Sequence, residues 1–173
     1  MNRRRFLIAS GAIAGAIGAG ALYWPHRWNY IVIHHSAGNF GTIDFLQEVH
    51  RDRQRGDPID AIPYHFVIGN GNGLGMGEIA SDWRRDLNIW GTHVSANNMA
   101  KNFLGLGICL IGNFEENELP DRQFDALVTL TRSLMGRYRI SPQNVDFHGK
   151  IGGETTKCPG KLFPYERFRS ALA

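Results

Sequence analysis

A strong charge of one sign is missing from this sequence. Nineteen basic against sixteen acidic residues leave a formal charge of +3, and Arg3, Arg4 and Arg5 supply much of it. The rest of the chain is close to neutral, which argues against a nucleic-acid partner, because phosphate binding needs a concentrated basic face. Cysteine is scarce, with only Cys109 and Cys158. In an exported protein such a pair defaults to a disulfide, but the two contexts argue against one. Cys109 sits inside the apolar run Leu106-Gly107-Ile108-Cys109-Leu110-Ile111, where a free cysteine packs as a small hydrophobe, and Cys158 lies in a loop rich in candidate metal donors. A Cys109–Cys158 bridge stands as the rival reading, since one sulfur cannot be both disulfide and thiolate ligand. No internal repeat is visible. With 43% apolar and 20% charged residues, the composition is globular rather than disordered. The length of 173 residues suits one domain with a real core and is too short for two.

The first 24 residues read as a targeting segment, leaving 25–173 as the domain. A charged start, Met1-Asn2-Arg3-Arg4-Arg5-Phe6-Leu7, is followed by an Ala/Gly/Ile run over residues 8–22, the layout of an export signal. The adjacent arginines before Phe6-Leu7 resemble the twin-arginine signal, whose pathway moves folded proteins. Ala19-Gly20-Ala21 is a candidate cleavage site. An uncleaved membrane anchor is the alternative, although so much alanine and glycine would insert weakly. Either way the domain is expected beyond the cytoplasmic membrane, in the periplasm or cell envelope.

Strand and helix patterns alternate along the remainder. Residues 29–34 read as a buried strand and 42–55 as an amphipathic helix with Thr42 as cap, closed by Gly56-Asp57-Pro58. Residues 63–68 read as a strand that turns through Gly69-Asn70-Gly71-Asn72-Gly73 into a return strand over 75–79. Residues 81–102 look loop-rich. The run 105–111 is apolar enough for a sheet centre covered on both faces. Residues 120–138 carry Phe124, Leu127, Leu130, Thr131, Leu134 and Tyr138 on one helical face. A short strand at 145–148 and a helix at 164–172 follow. The expected fold class is α/β, a single mixed β-sheet flanked by helices.

The stretch Phe147-His148-Gly149-Lys150-Ile151-Gly152-Gly153-Glu154-Thr155-Thr156-Lys157-Cys158-Pro159-Gly160 carries the chemistry. It holds an imidazole and a thiol in one loop, and upstream the strand Tyr30-Ile31-Val32-Ile33 runs into His34-His35. Two histidines and a cysteine make three soft, neutral-to-anionic donors, which suits zinc with an open fourth position. Side chains alternate along a strand, so only one of His34 and His35 faces such a site; the residues alone do not choose. Tyr64, Thr156 and Lys157 are candidate donors to a developing oxyanion.

These pieces, in order, resemble the zinc-dependent N-acetylmuramoyl-L-alanine amidases, the superfamily that includes phage lysozyme-type amidases and animal peptidoglycan recognition proteins. The matching segments are Ile33-His34-His35-Ser36-Ala37, Pro63-Tyr64-His65-Phe66-Val67-Ile68, Gly91-Thr92-His93 with Asn98, Leu106-Gly107-Ile108 through Gly112-Asn113-Phe114, and His148 with Thr156-Lys157-Cys158-Pro159-Gly160. The resemblance implies Zn2+ on His34, His148 and Cys158, with Tyr64 and Thr156 assisting at the scissile carbonyl. It implies that His93, Asn98, His35 and Lys157 meet the substrate. The implied substrate is peptidoglycan, cut between the lactyl group of N-acetylmuramic acid and L-alanine; nothing in the sequence demands more than a monomer. The alternative is a peptidoglycan-binding protein without turnover; such members replace the ligand cysteine, which is kept here. One departure stands out: some members carry a glutamate as general base in the central strand, and here Cys109 falls at that position.

Overall fold

The uninterrupted apolar run from Gly105 to Leu110 forms β4, and every residue of it is buried. The computed structural model describes residues 24–53 and 60–173. Residues 1–23 of the export segment, with its candidate cleavage site, and the Gly56-Asp57-Pro58 helix stop lie outside the described residues. The other elements are β1 (Tyr30–His35), α1 (Ile43–Arg53), β2 (Phe66–Ile68), β3 (Ile79–Ala80), α2 (Trp83–Asp86), α3 (Met99–Leu104), α4 (Asp121–Tyr138), β5 (Val145–Phe147) and α5 (Tyr165–Leu172). The strands form one sheet in the order β3-β2-β4-β1-β5, with β4 in the middle. β4 runs parallel to both β1 and β2, β5 runs parallel to β1, and β3 is antiparallel to β2. The sheet is mixed and flanked by helices, as the alternation of patterns predicts.

Alternation gives the two faces different occupants. One face presents Ile31, Ile33, Phe66, Ile68, Leu106, Ile108, Leu110 and Phe147 to the apolar stripe of α4 and to Phe168 and Leu172 of α5. Each such side chain contributes about 1.5–3 kcal/mol on full burial, so this layer is the main core. The other face carries smaller clusters: Val67, Cys109 and Ile111 under Leu46, Ile62 and Tyr64, and Val32 with Val94 and Ile151. The site lies on this second face.

Local chemistry explains where elements start and stop. Thr42 Oγ1 accepts from Phe45 N at 3.1 Å, the expected cap of α1. β2 begins at Phe66 rather than at residue 63. His65 Nδ1, not a main-chain carbonyl, accepts the Gly107 N–H at 3.0 Å, so a side chain takes over a rung of the ladder. The return strand shrinks to two residues because Gly77 N donates to the Gly69 carbonyl and Gly69 N to that of Glu78, which closes a tight turn where strand was expected. The segment read as loop over 81–102 contains α2 and the start of α3. Asp82 caps α2 by accepting from Arg84 N at 2.9 Å, and buried Asn102 of α3 pairs with both main-chain groups of Val94. Among the described residues no helix is long and apolar enough to cross a membrane.

Candidate metal centre

β1 and β5 are parallel neighbours, so their C-terminal ends meet at one edge of the sheet. β1 delivers His34 there, and the 3-10 turn His148–Lys150 that leaves β5 starts with His148. His34 is 1% exposed. Its Nδ1 lies 3.1 Å from His148 Nδ1 and 3.9 Å from Cys158 Sγ. One donor atom from each of His34, His148 and Cys158 lies within 4.8 Å of the others. Donors bound to a common ion at about 2.0–2.3 Å sit roughly 3–4 Å apart, so the spacing suits a shared centre. Two imidazole nitrogens and a sulfur form a borderline-soft set that fits zinc. The Cys158 loop closes onto this edge through Gly149 N, which donates to the Cys158 carbonyl at 2.6 Å. A Cβ on Gly149 would overlap the carbonyl oxygens of Thr156 and Cys158, so glycine is what lets the loop return so close to His148.

The ring nitrogens that do not face the cluster set its tautomers. His34 Nε2 is 3.1 Å from His93 Nδ1, and His93 Nε2 is 3.5 Å from the Gly105 carbonyl. A free lone pair on His34 Nδ1 puts the His34 proton on Nε2, donated to His93 Nδ1; the His93 proton then sits on Nε2, toward Gly105. His93 is 4% exposed, and burial holds its pKa down to about 3, so it stays neutral. His148 Nε2 is 3.1 Å from Glu154 Oε2. Burial, then the nearby His93 and His148, hold His34 well below the usual imidazole range. Burial also lowers His148 against the opposing pull of Glu154. Both rings are therefore in the neutral form that donates to a metal. Burial pushes the Cys158 thiol up to about 12, against a hydrogen bond from His35 N at 3.2 Å. Holding a cation as thiolate there must release a proton.

The other candidates fall at varied distances from the three donors. Tyr64 is buried, its ring 5.0 Å from that of His34. Its hydroxyl hydrogen-bonds with Cys109, and burial together with the two cysteines raises its pKa well above the usual phenol range. Thr156 is exposed, with Oγ1 accepting from Cys158 N at 3.2 Å. Lys157 is also exposed, 3.8 Å from Glu115. Thr156 and Lys157 line a cavity of about 510 Å³ with Glu115, Lys150 and Lys161. His93, expected in the groove, stands behind His34 in the interior. His35 points to the opposite face, where its Nδ1 accepts from Phe114 N at 3.2 Å; only its backbone reaches the site. Asn98 donates to Gly152 O at 3.1 Å and Glu154 Oε1 at 2.7 Å, tying a loop down rather than presenting a free amide. Cys109 and Cys158 are both free. Glu154 was not anticipated. Its one sequence signal is an acid inside the donor loop, six residues after His148, and only the folded loop turns it toward that ring.

Residues 24–161 match the family described as N-acetylmuramoyl-L-alanine amidase. The chain is 30% identical over 138 residues to peptidoglycan-recognition protein SC2 of Drosophila melanogaster, covering 76% of this chain and 68% of that protein. It is 34% identical over 71 residues to the 1,6-anhydro-N-acetylmuramyl-L-alanine amidase AmpD of Enterobacter cloacae, covering 41% of this chain and 37% of the relative. Among solved structures, the N-acetylmuramoyl-L-alanine amidase LysC from Clostridium intestinale URNW superposes with a TM-score of 0.70 at 32% identity, over 86% of this chain and 87% of that one.

Proposed function

Because the chain belongs to the N-acetylmuramoyl-L-alanine amidase family, we propose that it is a zinc hydrolase of peptidoglycan. It cleaves the amide between the lactyl group of N-acetylmuramic acid and the L-alanine of the stem peptide. The observation that carries this reading is the convergence of His34, His148 and Cys158 within 4.8 Å. Zinc on His34 Nδ1, His148 Nδ1 and Cys158 Sγ would supply a Lewis acid and an acidified water at its open position.

The remaining chemistry belongs to side chains of this chain. His93, kept neutral by burial, holds the His34 proton on Nε2 and leaves Nδ1 free to donate. Tyr64 keeps its proton because burial raises its pKa. Its resting partner is the sulfur of Cys109, a weak acceptor, so the hydroxyl is available to a stronger one such as a developing oxyanion. Thr156 Oγ1 already accepts an N–H from Cys158, which leaves its own hydrogen to point outward. These two hydroxyls are the proposed oxyanion donors. The Cys109 position carries no carboxylate, so proton transfer here does not use a central-strand glutamate.

Residues 1–24 serve export by the twin-arginine route, and residues 25–173 act beyond the cytoplasmic membrane as a monomer. Arg3-Arg4-Arg5-Phe6-Leu7 and the apolar run behind it support this, as does a family match that begins at residue 24. Likeness to a peptidoglycan-recognition protein supports a second reading, binding without turnover. Incubating the purified chain with peptidoglycan separates the two. Release of stem peptides, stopped by a chelator, restored by zinc and lost in Cys158→Ser, is the expected result. Release that persists after complete metal removal rejects the zinc mechanism; binding to sacculi with no release favours the second reading.

A further inference from the structure

Glu154 is turned inward from a segment that otherwise faces water. Gly152, Gly153 and Thr155 are exposed, yet the Glu154 side chain is only 4% exposed. Its Oε1 accepts from Ser95 Oγ at 2.7 Å, Ser95 N at 3.1 Å and Asn98 Nδ2 at 2.7 Å. Its Oε2 faces His148 Nε2 at 3.1 Å. One turn, Ser95 to Asn98, thus pins one carboxylate oxygen and aims the other at the histidine. Burial alone would raise the Glu154 pKa, but the bonds from Ser95, Asn98 and His148 outweigh it and the net shift is downward.

We infer that Glu154 is the positioning residue of the metal centre: anchored by Ser95 and Asn98, it fixes the tautomer and ring plane of His148. The inference rests on the zinc reading above. An ionised carboxylate only accepts, so the His148 hydrogen must sit on Nε2. That leaves the Nδ1 lone pair facing His34 Nδ1, where the donors converge. The two histidines are supported differently. His34 leans on a neutral imidazole, whereas His148 leans on an anion, which makes it the more basic donor. Charge points the same way. A divalent cation held by one thiolate and two neutral imidazoles leaves one net positive charge in a largely buried pocket. The Glu154 carboxylate brings the group to neutrality, and uncompensated buried charge is costly.

The test is zinc affinity of the full chain by competition with a chromogenic chelator, with cobalt substitution as a spectroscopic readout. Glu154→Ala should weaken zinc binding by about 10–100-fold and shift the visible bands of the cobalt protein. Glu154→Gln, which can still accept from Nε2 but carries no charge, should fall between. Ser95→Ala, which keeps the carboxylate but frees it, should lose less than Glu154→Ala. Far-UV circular dichroism identifies any variant that fails to fold, in which case the Gln variant decides. If wild type binds zinc and both Glu154 variants match it in affinity and cobalt spectrum, the inference falls and the zinc reading stands. If wild type binds no zinc, both fall.

Discussion

Gly107→Ala is the substitution whose cost the structure specifies most directly. Gly107 lies in the middle strand, and a Cβ there would stand 2.8 Å from Cγ and Cδ2 of His93 and 3.2 Å from its Nε2. The ring has little room to yield, because Gly91 lies so near that a Cβ there would stand 2.4 Å from its Cδ2 and His34 occupies the Nδ1 side at 3.1 Å. Relieving the overlap moves the ring by something near 1 Å, enough to break the His34–His93 bond. Overpacking a tight core costs about 1–3 kcal/mol, and leaving a buried ring nitrogen unpaired about 1–3 kcal/mol more. The expected loss is therefore roughly 2–6 kcal/mol in urea unfolding with chelator present. Zinc affinity should fall by about 10–100-fold, because His34 loses the partner that fixes its tautomer. Gly136→Ala supplies the control. It lies in the exposed interior of α4 with nothing within 4 Å of its would-be Cβ, so it should gain about 0.5–1 kcal/mol from helix propensity. A Gly107→Ala protein within about 0.5 kcal/mol of wild type and with unchanged zinc affinity would refute the placement of His93.

Two further outcomes are expected. Burial, with a smaller contribution from Arg53, holds His50 down to about 4, against about 6.5 in the unfolded chain. Between those values the unfolded state binds more protons. The contribution of this group is therefore complete above about pH 6.5 and declines as pH falls toward 4, by at most about 3.4 kcal/mol. Urea titrations in chelator at several pH values measure the slope; His50→Phe should reduce it by this group's share, the remainder coming from other buried histidines such as His34, His93 and His148, and an unaltered slope would remove His50 from the account. Cys109 and Cys158 are both free, so the unfolded, metal-free chain should titrate two thiols with Ellman's reagent, and none would restore the disulfide.

The sheet was readable because its signals are local. An unbroken apolar run too short for a buried helix reads as a covered strand, which is how β4 shows itself, and α4 declares its buried face through Phe124, Leu127, Leu130, Thr131 and Leu134. The candidate donors were partly readable for a related reason: His34-His35 and His148 fall at the ends of apolar strands, and Cys158 shares a loop with the second, while alternation alone did not choose between His34 and His35. What stayed hidden depends on chain paths between loops. Ser95 and Glu154 meet across 59 residues, and neither flanking segment has a periodicity that would announce the contact. The role of His65 in delaying the start of β2 was equally invisible, because a side chain taking a ladder N–H leaves no trace in an apolar pattern. His93 and Asn98 stand out as polar residues near the site, but only the fold separates a groove-lining side chain from one that braces a neighbour.

The second face of the sheet shows why this chain can hold so many rings. In register across β1 and β4, Val32 pairs with Gly107 and His34 with Cys109, and Val67 of β2 also pairs with Cys109. A glycine and a cysteine at the centre, where the opposite face carries Ile108 and Leu110, leave space above the strands. His93 fills the space over Gly107, and Tyr64 closes over Cys109. A glutamate in place of Cys109 would need room and a partner for its charge beside His34. Here burial keeps that position uncharged, with the thiol pushed well above its ordinary pKa. Among the described residues, the carboxylate that reaches any of the three candidate donors is Glu154, and its contact is with the outer nitrogen of His148. On the proposed reading, support for the candidate donors and chemistry at a substrate fall to different groups: one acid, tied to a distant turn, would brace His148, while the hydroxyls of Tyr64 and Thr156 would be left to meet the carbonyl.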